Sequence, residues 1–336
     1  MGTAVEFILA LVAIVASAAF FTNAVEILGS RLNLGQGAVG SVLAAVGTAL
    51  PESMIAVVAI MEPILSGGSS SGAEIGIGAI LGAPFMLSTL ALFVVGAAAL
   101  IFRWRRRQGT QLSIDSGTIA RDLGSFIVVF AVAAGVGLLE LPVFLKIVVA
   151  LALVLCYVFY VRRTFESGGE IENVPEKLLI IPGRREPPFG AVLFQTLASP
   201  GIIVAGAHFF VDAVEHAAEG LGLPAGLIAL ILAPLATELP EKFNSIFWVR
   251  DGKDTLAMGN MTGAMMFQST IPVSFGILFT PWNLTGLNVF ASALALVSAG
   301  LTYFMLRRLG KLDARHLMAG GLFYLAFVVG AVVVIV

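Results

Sequence analysis

Ten stretches of the chain run for about 20 residues almost without charge, and each is long enough to cross a bilayer core as a helix. They fall at residues 5–28, 37–61, 75–102, 123–140, 142–161, 191–211, 223–249, 255–279, 287–306 and 317–336. The chain is 58% hydrophobic and only 12% charged over 336 residues, with a mean hydropathy of +0.99. A soluble protein of this size could not cover itself with so few charges. The expected fold is therefore an all-α polytopic membrane protein with ten transmembrane helices. The first stretch lacks a basic leader and reads as a span rather than a cleavable signal. The division between the fourth and fifth spans rests only on the short LLELP segment ending at Pro142.

Charge placement tests the count. Arg31, Arg103, Arg105, Arg106, Arg107, Arg121, Arg162, Arg163, Lys177, Arg184, Arg185, Arg250, Lys253, Arg307, Arg308, Lys311 and Arg315 all fall in connections after odd-numbered spans, which is 17 of the 19 basic residues. The other two, Lys146 and Lys242, fall within spans. The positive-inside rule then makes those connections cytoplasmic and both termini extracytoplasmic, in a multi-pass protein of the cell membrane. The RWRRRQ run at 103–108 reads as an anchor meeting anionic headgroups. One cysteine, Cys156, lies in an apolar run, so no disulfide or cysteine metal site is expected.

The two halves repeat. Shifting by 189 places residues 20–53 on 209–242 without a gap, with 14 identities in 34. Shifting by 181 places GAILGAPFMLST (78–89) on GNMTGAMMFQST (259–270). Five spans per half is an odd number, so the second half enters the membrane inverted. The organisation expected is a first repeat over 1–162, a cytoplasmic linker over 163–190 and a second repeat over 191–336. Inverted repeats characterise secondary transporters, whose site lies near the midplane where the repeats meet.

An ionisable group inside a span is costly and marks function by default. Glu52 and Glu241 occupy equivalent places, within GTALPE and ATELPE. Each follows a proline (Pro51, Pro240) and stands four residues after a threonine (Thr48, Thr237). Proline has no N–H to offer the carbonyl four residues back, so the carbonyls of Gly47 and Ala236 lose their partners. Threonine and glutamate at i and i+4 share a helix face. Each repeat thus offers a carboxylate, a hydroxyl and a free carbonyl, an all-oxygen set suited to hard cations such as Ca²⁺ or Na⁺. A proline kink with a capping glutamate is the plainer account of one such motif, but the symmetric pair weighs against it.

With these paired motifs the chain resembles the cation/calcium antiporter superfamily, which includes the sodium/calcium exchangers. The resemblance spans ten helices, a central cytoplasmic loop, GTSLPE-like motifs and GNxxGSN-like motifs. It implies antiport of Ca²⁺ or a related cation against Na⁺ or H⁺, with Glu52 and Glu241 as transport glutamates and Thr48 and Thr237 as ligands. It also implies that the first and sixth helices slide past the core to alternate access. Four positions depart from the family pattern where it supplies side-chain oxygens: Ala83, Pro84, Ala264 and Met265. The motif serine is Ala49 in one copy and Glu238 in the other. Several sodium sites are thereby put in question, and proton coupling gains ground.

Glu238 lies one turn before Glu241 and can face the same cavity, as a further ligand or a proton carrier. Lys242, four residues after Glu238, has the favoured spacing for an intrahelical ion pair, and the two readings stand level. Asn23, Glu26, Asp212 and Glu215 form a second symmetric set, read as lying toward the cytoplasmic ends of spans one and six, with Glu219 a turn beyond Glu215 and His208 and His216 flanking. Snorkelling or an ion path would each suit them. Asn244, Asn260 and Gln268 read as interhelical hydrogen-bonding groups.

No HExxH, Cys–His or paired catalytic Asp motif is present, so an enzyme is not expected. Nothing points to a bound cofactor or to nucleic acid. The expected partners are inorganic cations and the bilayer. A cation channel or non-transporting sensor on the same fold is the alternative.

Overall fold

In lipid, backbone N–H and C=O groups find no water, so each apolar segment must satisfy them within its own helix. The computed structural model shows that outcome. It describes residues 2–31, 44–66, 71–166, 177–181, 183, 186–284 and 286–335. The side chains of Glu26, Thr48, Pro240, Glu241 and Asn244 lie outside the described residues, as do those of residues 2–4, 29, 30, 44–47, 66, 165, 166, 239, 243 and 335.

The long helices, numbered in chain order, are α1 Gly2–Arg31, α2 Ala44–Ser66, α3 Ser71–Ile101, α4 Ser116–Leu138 and α5 Val143–Glu166. They continue with α6 Phe189–Leu221, α7 Ala225–Arg250, α8 Asp254–Phe279, α9 Leu287–Leu309 and α10, a turn Ala314–Leu317 followed by Ala319–Ile335. Among the described residues, eight of these are long and apolar enough to cross a membrane; α2 and α7, which carry the charged motifs, are the other two. The LLELP segment does end α4 at Leu138 before α5 begins at Val143. The largest difference from expectation is α6, which continues ten residues past Val211 to Leu221 and stops at Gly222, in the left-handed conformation (φ 65°) that glycine takes at low cost.

Helices in lipid associate through small residues that let backbones approach. Gly78 and Gly82, one turn apart on α3, do this against α7. A Cβ on either would overlap a main-chain carbonyl, that of Gly226 or of Leu230. The same direction of numbering along both helices makes α3 and α7 parallel. In contrast, α1 and α6 are antiparallel: Phe7 meets Phe210 at 5.0 Å between ring centroids, whereas Phe20 and Asn23 meet Gln195.

Both α3 and α8 break in the middle. Pro84 removes an N–H from α3, and Leu87–Ala91 is wound as π-helix just beyond. In α8 the helix stops at Gln268 and restarts at Ile271 with Pro272 in its first turn. Hydroxyl groups cover the carbonyls that such breaks expose: Thr89 Oγ1 donates to Phe85 O at 2.5 Å and Thr270 Oγ1 to Met266 O at 2.7 Å. A shift of 181 carries the first break onto the second.

At one end, the α3–α4 connection pairs with the α9–α10 connection as a two-residue antiparallel strand pair, β1 (Gln111–Leu112) with β2 (Leu312–Asp313). Arg106 is turned inward here. Its guanidinium binds both oxygens of Asp254 at 2.8 and 2.6 Å and the carbonyls of Val249, Gln111 and Gly109, with pair exposures of 2% and 1%. The reading of this run as a headgroup anchor therefore fails at Arg106: a buried carboxylate competes better for it than lipid does. Arg103, Arg105 and Arg107 are exposed. At the other end, the α8–α9 connection binds α4 and α5 through Leu284 N to Gly137 O (2.8 Å), Trp282 Nε1 to Ala133 O (3.0 Å) and Lys146 Nζ to Pro281 O (2.6 Å). Lys146 thus sits in the first turn of α5, at a helix end rather than mid-span.

Candidate cation site

Glu52 of α2 and Glu238 and Lys242 of α7 are buried in an interior that is mostly apolar, with a few Ser, Thr and Gln side chains among it. Helices α2, α7 and α8 pack on one another. Pro51 does not end α2, so the turn that carries Glu52 stays helical and holds its carboxylate inward. Glu52 is 2% exposed, and neither of its oxygens has a hydrogen-bond partner among the described residues. Thr237 and Lys242 on α7 are its polar surroundings. Thr237 Oγ1 donates to Ala233 O, at 2.7 Å. An ionised carboxylate cannot stay so without a countercharge.

Of the two readings held level for Glu238 and Lys242, the intrahelical ion pair is not formed. Glu238 accepts a hydrogen bond from Gln268 Nε2 at 2.6 Å, and Lys242 donates to Asn260 Oδ1 at 3.0 Å. Both partners lie on α8, so burial of each group against α8 wins over the exposed-helix preference for i, i+4 pairing. Glu238 and Lys242 are each 2% exposed. Asn260 and Gln268 thus act as interhelical hydrogen-bonding groups. The α7 main chain at Ala236 is part of the same helix, while the side chains of Glu241, Thr48 and Asn244 lie outside the described residues. The positions without side-chain oxygen, Ala83, Pro84, Ala264 and Met265, are all buried in α3 and α8.

The second symmetric set does not assemble, and its placement requires a correction. Asn23 and Asp212 lie at opposite ends of the α1–α6 pair, because the two helices run antiparallel and each residue stands in the second half of its own helix. Asn23 binds the main chain of Lys177 and Leu179, both at 3.0 Å, and Gln195 near the start of α6. Asp212 lies 17 residues after Gln195, about 25 Å further along the helix. There His208 sits between Glu62 of α2 at 3.0 Å and Asp212 at 3.7 Å. Glu215 accepts a hydrogen bond from Ser71. His216 bonds only the Asp212 carbonyl of its own helix, at 2.7 Å. The side chain of Glu26 lies outside the described residues.

Besides Asp254, two buried carboxylate or amide side chains were not singled out from the sequence. Asp122, 2% exposed on α4, accepts from Thr262 of α8 at 3.0 Å and pairs with Arg121 at 3.1 Å. It lies outside the span as drawn from Leu123. The apolar positions Ile119, Leu123, Phe126 and Phe130 nonetheless place Asp122 on the buried face of a helix. Gln195, also 2% exposed, ties α6 to Phe20 O at 2.7 Å. Its signal was a lone amide in an apolar run.

Comparison with known proteins agrees with this architecture. The chain is 24% identical over 325 residues to a putative antiporter CaxA of Alkalimonas amylolytica, covering 95% of this chain and 94% of that one. It is 27% identical over 150 residues to the sodium/calcium exchanger MaX1 of Methanosarcina acetivorans, 44% of this chain and 42% of that one. Among solved structures it superimposes on an H⁺/Ca²⁺ exchanger, CAX, with a TM-score of 0.75 at 16% identity, over 98% of this chain and 86% of that one. It also matches the sodium–calcium exchanger NCX_Mj with a TM-score of 0.61 at 20% identity, over 97% of each chain. The family model described as sodium/calcium exchanger protein matches residues 3–165 and 192–336. This chain therefore belongs to the sodium/calcium exchanger family.

Proposed function

We propose that the protein is a secondary active cation antiporter that exchanges Ca²⁺, or a related cation, against Na⁺ or H⁺ through Glu52 and Glu241. The observation that carries this reading is the buried Glu52 carboxylate, which has no hydrogen-bond partner among the described residues. Its repeat equivalent in sequence is a second glutamate, and the chain belongs to an exchanger family. Thr48, Thr237 and the carbonyls of Gly47 and Ala236 complete the oxygen set, and Glu238 adds a carboxylate. Helices α2 and α7 span as well, giving ten spans in two inverted repeats, 1–162 and 191–336, with 163–190 as a cytoplasmic linker and both termini outside. Contacts exchange under that symmetry: α3 packs on α7 as α8 packs on α2, and α10 lies on the second half of α3 as α5 lies on that of α8.

The coupling follows from electrostatics. Two carboxylates in a cavity of low dielectric repel, so an empty, doubly ionised site resists crossing the membrane. It crosses when a divalent cation, monovalent cations or protons neutralise it. The replacement of side-chain oxygens by Ala83, Pro84, Ala264 and Met265 leaves fewer ligands for several Na⁺ ions and favours H⁺ as counter-ion. Flux in proteoliposomes, with Na⁺ and H⁺ gradients imposed separately against Ca²⁺, tests the reading. Uptake that depends on one of those ions on the opposite face is the expected result. Uptake indifferent to both identifies a channel and overturns it.

A further inference from the structure

A cavity of about 660 Å³ opens between α4, α5 and α9, away from the glutamates. Its volume comes from small residues on one face of α4: Gly117, Ala120, Gly124 and Ser125. Arg121, Arg163 and Arg307 line its upper part, and Tyr160 and Tyr303 stand beside them. Arg121 lies over the Tyr160 ring and Arg307 over the Tyr303 ring, each at 5.9 Å. Among the described residues that line the cavity, none is acidic. Arg121 pairs with Asp122 at 3.1 Å and lies in the field of the capping Asp115.

Charge gives way to hydrocarbon along the cavity. Val128 is seven residues beyond Arg121 and Cys156 seven before Arg163, so each helix turns apolar about 10 Å from its arginine. Val128 and Phe159 are 65% and 64% exposed, so this part opens sideways toward lipid. The arginines lie at the end of the molecule that carries the β1–β2 pair.

We propose that this cavity binds an anionic glycerophospholipid. The phosphate sits among Arg121, Arg163 and Arg307, and an acyl chain lies along Val128, Cys156 and Phe159. A free phosphate would fill only the charged half. Basic pockets between spanning helices on the cytoplasmic side are suited to such headgroups, and the basic connections place this end there. The proposal rests on membrane embedding with this end on the cytoplasmic side, and stands apart from the choice of transported ion.

The chain's single cysteine, Cys156, reports occupancy directly. In nanodiscs of phosphatidylcholine, adding phosphatidylglycerol should slow Cys156 alkylation by N-ethylmaleimide about fivefold or more, and inorganic phosphate should not. Arg163→Gln/Arg307→Gln should weaken the protection about tenfold. Arg250→Gln, at an exposed pair with Asp251 outside the cavity, should keep it. Val128→Trp fills the apolar half without touching the arginines, and should release the lipid that native mass spectrometry detects on the unaltered protein. Alkylation no slower with phosphatidylglycerol than in phosphatidylcholine alone, equal protection by phosphate, protection that survives loss of both arginines, or lipid retained by Val128→Trp would each overturn the proposal.

Discussion

Lys242 is the fully buried cation beside Glu52, and its removal should tighten the hold on transported cations. It is 2% exposed and spends one hydrogen bond on Asn260, at 3.0 Å. It acts on Glu52 from beyond ion-pair distance. Two unit charges about 6 Å apart at an effective dielectric of about 20 interact by about 3 kcal/mol. A Lys242→Met variant keeps the volume and deletes that charge, so a cation at Glu52 no longer competes with an ammonium. Allowing half of the figure for water that enters the cavity leaves at least a tenfold fall in the Ca²⁺ concentration for half-maximal uptake. Slower turnover should accompany it, because release becomes harder. The orphaned Asn260 costs about 1 kcal/mol, a small fall in melting temperature. Uptake kinetics in proteoliposomes over a Ca²⁺ series measure both effects. An unchanged or raised half-saturation concentration in a folded variant refutes the placement of Lys242 in the field of the site.

Asp254→Asn strands the buried Arg106 guanidinium, costing about 3–5 kcal/mol and lowering the melting temperature by roughly 10 °C; Arg106→Leu/Asp254→Leu should lose less than either single change. Asp115 caps α4, and the hydroxyl of Thr118, with the N–H groups of Thr118 and Gly117, holds its carboxyl below the ordinary value of 3.8. Asp115→Ala should cost about 1 kcal/mol at neutral pH. A lowered pKa stabilises above the unfolded value and is lost as pH falls through the folded one, so variant and parent should converge in thermal melts once pH falls below the folded value. In a Cys156→Ser background, a cysteine at Gln108 should react with an impermeant maleimide only from the cytoplasm, and one at Glu140 only from outside.

Eight of the expected spans were legible as membrane-length apolar helices because hydrophobicity over about 20 residues is set by the bilayer. The proline motifs and the 181-residue shift marked the interior in advance: its final Ser–Thr pairs fall at both helix breaks, Ser88–Thr89 and Ser269–Thr270. What escaped depends on partners distant in sequence. Arg106 looked like its exposed neighbours until Asp254, 148 residues away, was brought beneath it. Lys242 had a helical partner at the right spacing, but Asn260 and Gln268 of α8 offered better-desolvated contacts to the two groups. Asn23 and Asp212 were read at one membrane face because each stands late in its own span, but α1 and α6 run antiparallel and carry them to opposite ends.

The most direct test of the account removes charge from the glutamate pair without changing its shape. Ca²⁺ exchange by Glu52→Gln, and separately by Glu241→Gln, is measured in proteoliposomes against an imposed counter-ion gradient, with melting temperature as the folding control. The account predicts exchange at background in each variant and an intact fold. Near-normal exchange by a folded Glu52→Gln protein would contradict it.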